Sequence, residues 1–319
     1  MRIGLTYDSV VDWANEGLDA EQLAEFDGEP TIAAIDAHLS RRGHPVDRIG
    51  RARALVARLH GGESWDIVFN ICEGLHGPGR EAMVPALLES FEIPCVFSDS
   101  LVMALTLHKG HTKRVVRDAG LPTAEFVVLE RADEPCRLTY PVFLKPVSEG
   151  TGKGIGPASL CHTPRDVQAE AARLIARFRQ PALAECFLPG REFTVGIVGT
   201  GAEAQVVGVM EIDSFATYGF ATKKNYGDVR YRLADDAEGC AAAEVALGAW
   251  RLLGCRDGGR VDVRSDGAGQ PQFLEVNPLP GLHPVDSDLI ILAGLAGHDH
   301  AWVLDRIMDS ACARAGLRW

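Results

Sequence analysis

Two short segments near the end of the chain constrain its fold more than any other part of it. Arg260-Val261-Asp262-Val263 and Phe273-Leu274-Glu275-Val276-Asn277 each alternate apolar and polar residues, the period of a half-buried strand. Ser265-Asp266-Gly267-Ala268-Gly269 between them is a turn sequence. A hairpin folded there puts Arg260 and Asp262 on one face, and Glu275 and Asn277 on one face, with Asp262 nearly opposite Glu275. Val261, Val263, Leu274 and Val276 then point the other way, into a core. Two carboxylates and an amide oxygen beside a guanidinium suit Mg²⁺, which takes hard oxygen ligands and keeps positions open for phosphate oxygens. The plainer reading is a surface hairpin carrying ordinary charges.

Upstream segments weigh against that plainer reading. In Tyr140-Pro141-Val142-Phe143-Leu144-Lys145-Pro146 a lysine ends an apolar strand, where it is partly desolvated and attracts an anion. In Gly150-Thr151-Gly152-Lys153-Gly154-Ile155-Gly156, glycines at alternate positions let backbone N–H groups close over a phosphate chain. Lys153 is followed by glycine rather than Ser or Thr, so this is not a Walker A loop. Glu185 ends an apolar strand and Glu192 opens the next; alone, that pair reads as a solvated turn.

The first hundred residues alternate strand and helix. Strands are expected at 2–7, 45–49, 66–72 and 94–97, with helices at 31–42, 51–60 and 81–91, which implies a small parallel sheet. The connection 8–29 is long for a βα loop, and such loops are often functional. A basic helix follows at 109–119, strands at 125–129 and 140–145, and a helix at 165–179. Strands at 182–186, 192–198 and 205–211, the hairpin, and a terminal helix from residue 300 complete the chain. The expected units are 1–98, 99–180 and 181–319, since 319 residues exceed one ordinary core. The net charge of −12 argues against a polyanion partner, so no nucleic acid is expected. The longest apolar run, 289–297, is under half a membrane span, and the N-terminus lacks a signal sequence; a cytoplasmic protein with no membrane partner is expected. Eight scattered cysteines without a C-x-x-C pair are expected to be reduced.

Taken in order, these segments resemble the ATP-grasp superfamily and, within it, the D-alanine–D-alanine ligases. The resemblance runs from about residue 66 to the C-terminus, through Glu73-Gly74-Leu75-His76-Gly77-Pro78-Gly79-Arg80-Glu81, the 109–113 helix, Lys145-Pro146, the glycine loop and Glu185…Glu192. It is strongest at Arg260-Val261-Asp262…Glu275-Val276-Asn277-Pro278-Leu279-Pro280-Gly281. It implies an α/β chain with α+β lobes: a small parallel-sheet domain, then two lobes clamping ATP. The implied activity is ATP- and Mg²⁺-dependent carboxylate–amine ligation through an acyl phosphate, with two Mg²⁺ (or Mn²⁺), small amino-acid substrates and a homodimer. By matching positions, Lys109 and Lys145 would hold phosphates under Gly150, Gly152 and Gly154. Glu185 would mark the adenine hinge and Glu192 would bind ribose. Asp262, Glu275 and Asn277 would ligate metal, and Arg260 and the backbone at Gly281 would stabilise the tetrahedral intermediate. Thr151, where the family's loop has serine, joins the catalytic set. Either Lys223 or Lys224 would reach the γ-phosphate from a lid over 215–231.

The N-terminal loop departs from the pattern. The family's His-x-x-Ser-type context with its amine-binding glutamate is absent from Asp8-Ser9-Val10-Val11-Asp12-Trp13-Ala14-Asn15-Glu16. The expectation is therefore a ligase for a different amino acid or small carboxylate, with Asp8, Glu16, Glu73 and Glu81 as candidates to grip an ammonium, His76 as a substrate contact and Ser287 as a donor to a carboxylate. The alternatives are an authentic D-alanine–D-alanine ligase with a divergent amine site, and a nucleotide-binding regulator that has lost catalysis.

Overall fold

The computed structural model describes residues 1–214 and 229–319. The expected lid lysines Lys223 and Lys224, and most of the expected lid, lie outside the described residues. Strands β1 (Ile3–Tyr7), β2 (Val46–Gly50) and β3 (Ile67–Ile71) form a parallel sheet in the order β2-β1-β3. Helix α1 (Val10–Ala14) lies in the long connection after β1; α2 (Glu29–Arg41) and α3 (Ala52–His60) supply the crossovers, and α4 (Met83–Ser90) follows β3. Pro30 occupies the first turn of α2, where its missing N–H costs nothing. The strand expected at 94–97 is reduced to one bridge, Val68 to Cys95, because Phe97 turns to φ 74° and leaves the extended region.

Helices α5 (Ser100–Leu107) and α6 (Lys109–Asp118) lead to a four-stranded antiparallel sheet. It comprises β4 (Phe126–Leu129), β5 (Val142–Pro146), β6 (Leu160–Cys161) and β7 (Ala182–Cys186) in the order β4-β7-β5-β6, with α7 (Pro164–Phe178) packed on it. The sequence places 182–186 with the strands after it. Its backbone instead pairs with β4 and β5 (Lys145 with Leu183, Phe143 with Glu185), so this sheet extends past residue 180.

The third sheet has the order β10-β9-β8-β11-β12: β8 (Glu192–Val198), β9 (Gln205–Ser214), β10 (Val229–Leu233), β11 (Gly258–Ser265) and β12 (Pro271–Asn277). Helix α8 (Ala237–Leu253) covers it with Ala242, Ala246, Ala249 and Trp250. The small side chains let the helix approach closely. A Cβ on Gly259 would lie 2.4 Å from Asn277 O and 2.8 Å from the Trp250 ring, so only glycine fits beside Arg260.

Two C-terminal helices, α9 (Asp288–Leu295) and α10 (His300–Arg314), return to the first sheet. Leu289, Leu304, Ile307 and Met308 share a core with Ile3, Leu5 and Phe69. Buried Asp257 ties the same junction polarly: it accepts from Phe97 N at 2.8 Å and from Arg314 Nη2 at 2.6 Å. All eight cysteines are free thiols. Among the described residues no helix is long and apolar enough to cross a membrane.

Candidate active site

The hairpin forms in the expected register. Arg260 faces Asn277 and Asp262 faces Glu275 across β11–β12. A bulge after Asp262 pairs Val263 with Phe273 and leaves Leu274 without a partner position. Leu274, expected in the core, is consequently half-buried and lines a cavity beside Glu275, while Phe273 takes the core position.

That cavity runs between the second and third sheets. Lys109, Lys145, Glu185, Glu192, Asp262 and Glu275 line it, with Phe143, Phe187 and Ile212 among its apolar walls. Phe143 and Lys145 share a face of β5, and Glu185 lies opposite Phe143, so Glu185 meets Lys145 Nζ at 2.8 Å. Lys113 Nζ approaches the other Glu185 oxygen at 3.0 Å. Burial alone raises the Glu185 pKa, but Lys113 and Lys145 outweigh it and hold the carboxyl at about 2. Burial pulls both lysines down; Glu185 and Glu275 leave Lys145 raised on balance, whereas Lys113 is lowered. Glu185, expected to mark the hinge, lines this cavity and anchors a lysine pair there. Lys109 opens α6 and reaches Glu275 at 3.5 Å, with Lys145 4.0 Å from the same oxygen. Asp262 accepts from Thr194 Oγ1 at 2.8 Å, and Asn277 Nδ2 lies 3.4 Å from its other oxygen. Glu192 pairs with Arg264 at 2.9 Å.

A second cavity, of about 440 Å³, adjoins the first and shares Lys109, Glu149, Arg260, Glu275 and Asp288 with it. Arg260 at this junction is paired with Asp288, the first residue of α9. Gly281 and Ser287 lie on the same wall, and Ser287 Oγ accepts from His283 N at 2.8 Å. A Cβ on Gly281 would sit 2.9 Å from that Oγ.

The glycine loop closes over both cavities, with Gly152 on one and Gly150 and Thr151 on the other. Thr151, Gly152 and Gly154 take φ of 53°, 67° and 75°, so the tip is left-handed and strained at Thr151. Gly154 is wedged against Phe178, Pro146 and Leu174. Arg173 Nη2 donates to Gly154 O at 2.7 Å and is held by buried Glu170. At the other end Gly150 N donates to Glu25 Oε1 at 2.8 Å, and Lys153 Nζ meets Glu25 Oε2, also at 2.8 Å.

Glu25 and Asp27 are the acids of the 8–29 connection that reach the second cavity. Glu16 does not: it is exposed, ion-paired with Arg51, and lines a separate cavity with Asp8 and His76. Glu16, Asp8 and His76 are thus not brought to the expected site, because the connection turns Glu16 outward and carries Glu25 and Asp27 inward before α2. Glu73 and Glu81 do line the second cavity, with Asp27. Burial is the largest cause at both: with the charges of Glu81 and Glu25 it lifts Glu73 well above a normal carboxyl, and with Glu25 and Glu149 it outweighs Arg80 and Lys109 to hold Glu81 at about 7. Asp27 rises to about 7 through burial, which the Thr31 hydrogen bond only partly offsets. The sequence alone assigns no role to Glu25, Asp27 or Asp288 and none to Lys153 beyond its place in the glycine loop; the length of the 8–29 connection is the signal that points to the first two.

Residues 115–309 match the family model described as D-ala D-ala ligase C-terminus. The chain is 34% identical over 287 residues to the D-alanine–D-alanine ligase of Alcanivorax borkumensis, covering 88% of each sequence. It is 34% identical to that of Gluconobacter oxydans, covering 88% of this chain and 93% of the other. It is similar in fold to a solved D-alanine–D-alanine ligase from Bacillus anthracis complexed with ATP, at a TM-score of 0.75 and 19% identity over 99% of both chains.

Proposed function

The chain belongs to the D-alanine–D-alanine ligase family, with an ATP-grasp fold, and is an ATP-dependent, ADP-forming ligase that makes a peptide bond between small amino-acid substrates; on that basis we propose how its own residues perform the reaction. The observation that carries the proposal is the junction of the two cavities, where Lys109, Arg260 and Glu275 border both. A nucleotide in the first cavity and an amino acid in the second would meet there.

Lys109 and Lys145 bind the phosphates, and the glycine loop covers them with backbone N–H groups. Glu192 takes the ribose. Asp262, Glu275 and Asn277 would hold Mg²⁺. The donor set fits it: Asp262 faces Glu275 across the hairpin with Asn277 3.4 Å from Asp262, giving two carboxylates and an amide oxygen, and Mg²⁺ takes one or two carboxylates while leaving positions for phosphate and water. When bound, the metal neutralises charge on the transferring phosphoryl group. An oxygen of the first substrate's carboxylate attacks the γ-phosphorus of ATP; the bond to the bridging oxygen breaks and ADP leaves. The second substrate's neutral amine then adds to the acyl carbon. Arg260 and Gly281 N–H face the oxyanion that forms. The acyl C–O bond breaks, phosphate leaves with that oxygen, and the amine loses a proton. Glu25 holds the first substrate's α-ammonium, and Ser287 faces the second substrate's carboxylate. Lys223 and Lys224 remain candidates for the γ-phosphate. We further propose a cytoplasmic homodimer without nucleic-acid or membrane partners; light scattering reads its mass directly.

The test is ADP release with Mg²⁺-ATP across single and paired D- and L-amino acids, with mass spectrometry of the products. Amino-acid-dependent ADP with a dipeptide product supports the assignment. ADP release without an amide product overturns it.

A further inference from the structure

The substrate end of the second cavity holds more carboxyl groups than one amino acid's ammonium can pair with. Glu25, Asp27, Glu73, Glu81 and Glu149 line it; Arg80 and Lys153 pair with two of them from outside the lining, and Lys109, on the lining, pairs with Glu275. The first two cations are engaged by Glu25 and Glu149: Arg80 at 3.5 and 3.9 Å, Lys153 at 2.8 and 3.6 Å. Asp27, Glu73 and Glu81 remain, and among the described residues none of the three is in an ion pair. They come from two separate elements, the entry to α2 and the loop after β3, and line one cavity, where Glu81 and Asp27 both act on Glu73.

Arg260 lines the same cavity, so these acids bear on the same ligand. The nucleophilic amine must be neutral to react, and a carboxylate cluster would keep it protonated. The cluster therefore suits the substrate that is activated at its carboxylate, whose nitrogens stay cationic throughout. With the α-ammonium on Glu25, a wall for an alanine methyl group would be apolar. Here it is Asp27, Glu73 and Glu81.

We propose that the activated substrate is a diamino acid, its second, side-chain ammonium seated among Asp27, Glu73 and Glu81. This rests on the ligase reading above and names the substrate class of that site. Pairing the side-chain nitrogen with carboxylates also keeps it protonated, so it does not attack its own acyl phosphate. The raised carboxyl pKa values fit a wall that awaits a cation: each acid is costly to ionise until one arrives.

The test is ADP release and product mass across D- and L-2,3-diaminopropionate, 2,4-diaminobutyrate, ornithine and lysine, against alanine and serine, on the full chain. At least one diamino acid should exceed alanine in kcat/KM by about tenfold or more as the activated substrate. Asp27→Asn and, independently, Glu73→Gln should each cut that preference by about tenfold, so that failure of one variant to fold leaves the other to decide. Alanine serving as well as any diamino acid, with a dipeptide product, overturns this inference and leaves the ligase reading standing. An unchanged preference in both folded variants also overturns it. Silence with every amino acid overturns both.

Discussion

The two cavities are built on opposite electrostatic plans. In the first cavity, proposed for the nucleotide, each carboxylate meets a cation or a donor: Glu185 two lysines, Glu275 Lys109 and Lys145, Asp262 Thr194. In the second cavity, proposed for the amino acid, Asp27, Glu73 and Glu81 stand without ion pairs among the described residues and are hard to ionise. A site that must place phosphates and metal the same way in every turnover is preorganised by its own counter-charges. A site that selects among amino acids leaves a charge for the right ligand to complete, and rejects ligands that leave it incomplete.

The largest effect expected from this contrast is on chemistry. Glu275→Gln should lower kcat by about a hundredfold or more, on the order of 3 kcal/mol of transition-state stabilisation, with an unchanged circular dichroism spectrum. A loss of only a few-fold in single-turnover ADP formation would remove Glu275 from the metal site.

Next come two stability effects of opposite sign. The Glu185 carboxyl lies at about 2 in the fold against an ordinary 4.5, so its contribution is present above about pH 4.5 and lost as pH falls toward 2. Glu185→Gln should destabilise by about 3 kcal/mol at pH 7, because it leaves Lys113 and Lys145 buried beside a neutral group, and the gap from the parent should close in acid. Asp27 behaves inversely. Its pKa of about 7 against an ordinary 3.8 means that its cost is absent below about pH 4 and complete above 7. Asp27→Asn should stabilise by up to about 2 kcal/mol at pH 8 and by little at pH 4.5. Urea titrations at those pH values read both signs; the same sign for both variants would erase the electrostatic distinction between the cavities.

The smallest effect is expected at Glu16. Its ion pair with Arg51 is solvent-exposed and away from both cavities, so Glu16→Ala should leave amino-acid KM within about twofold and stability within about 1 kcal/mol. A tenfold rise in KM would return Glu16 to the substrate site.

How far the sequence reading reached follows the same division. The placement of the first cavity's residues is legible because they sit on short periodic elements: the alternation at 260–263 and 273–277 sets the Asp262–Glu275 register, and Lys145 lies near the end of an apolar strand. Even there, the bulge at Leu274 shifted one side chain, since alternation cannot reveal an inserted residue. The amino-acid side is assembled by contacts distant in sequence. Glu25 meets Gly150 across 125 residues, and Arg260 meets Asp288 from another element. No local pattern distinguishes Glu16, which turns to solvent, from Glu25, which turns inward. Helix α8 is not legible in the sequence because its buried face is largely alanine, which marks a helix's apolar stripe only weakly.

The central claim is that the substrate carboxylate takes the γ-phosphoryl group at the junction of the two cavities. Its most direct test is turnover with an amino acid labelled with ¹⁸O in both carboxylate oxygens, followed by mass spectrometry of the released phosphate. Formation of an acyl phosphate predicts ADP and phosphate carrying one labelled oxygen from the substrate. Unlabelled phosphate, or AMP in place of ADP, would contradict the account.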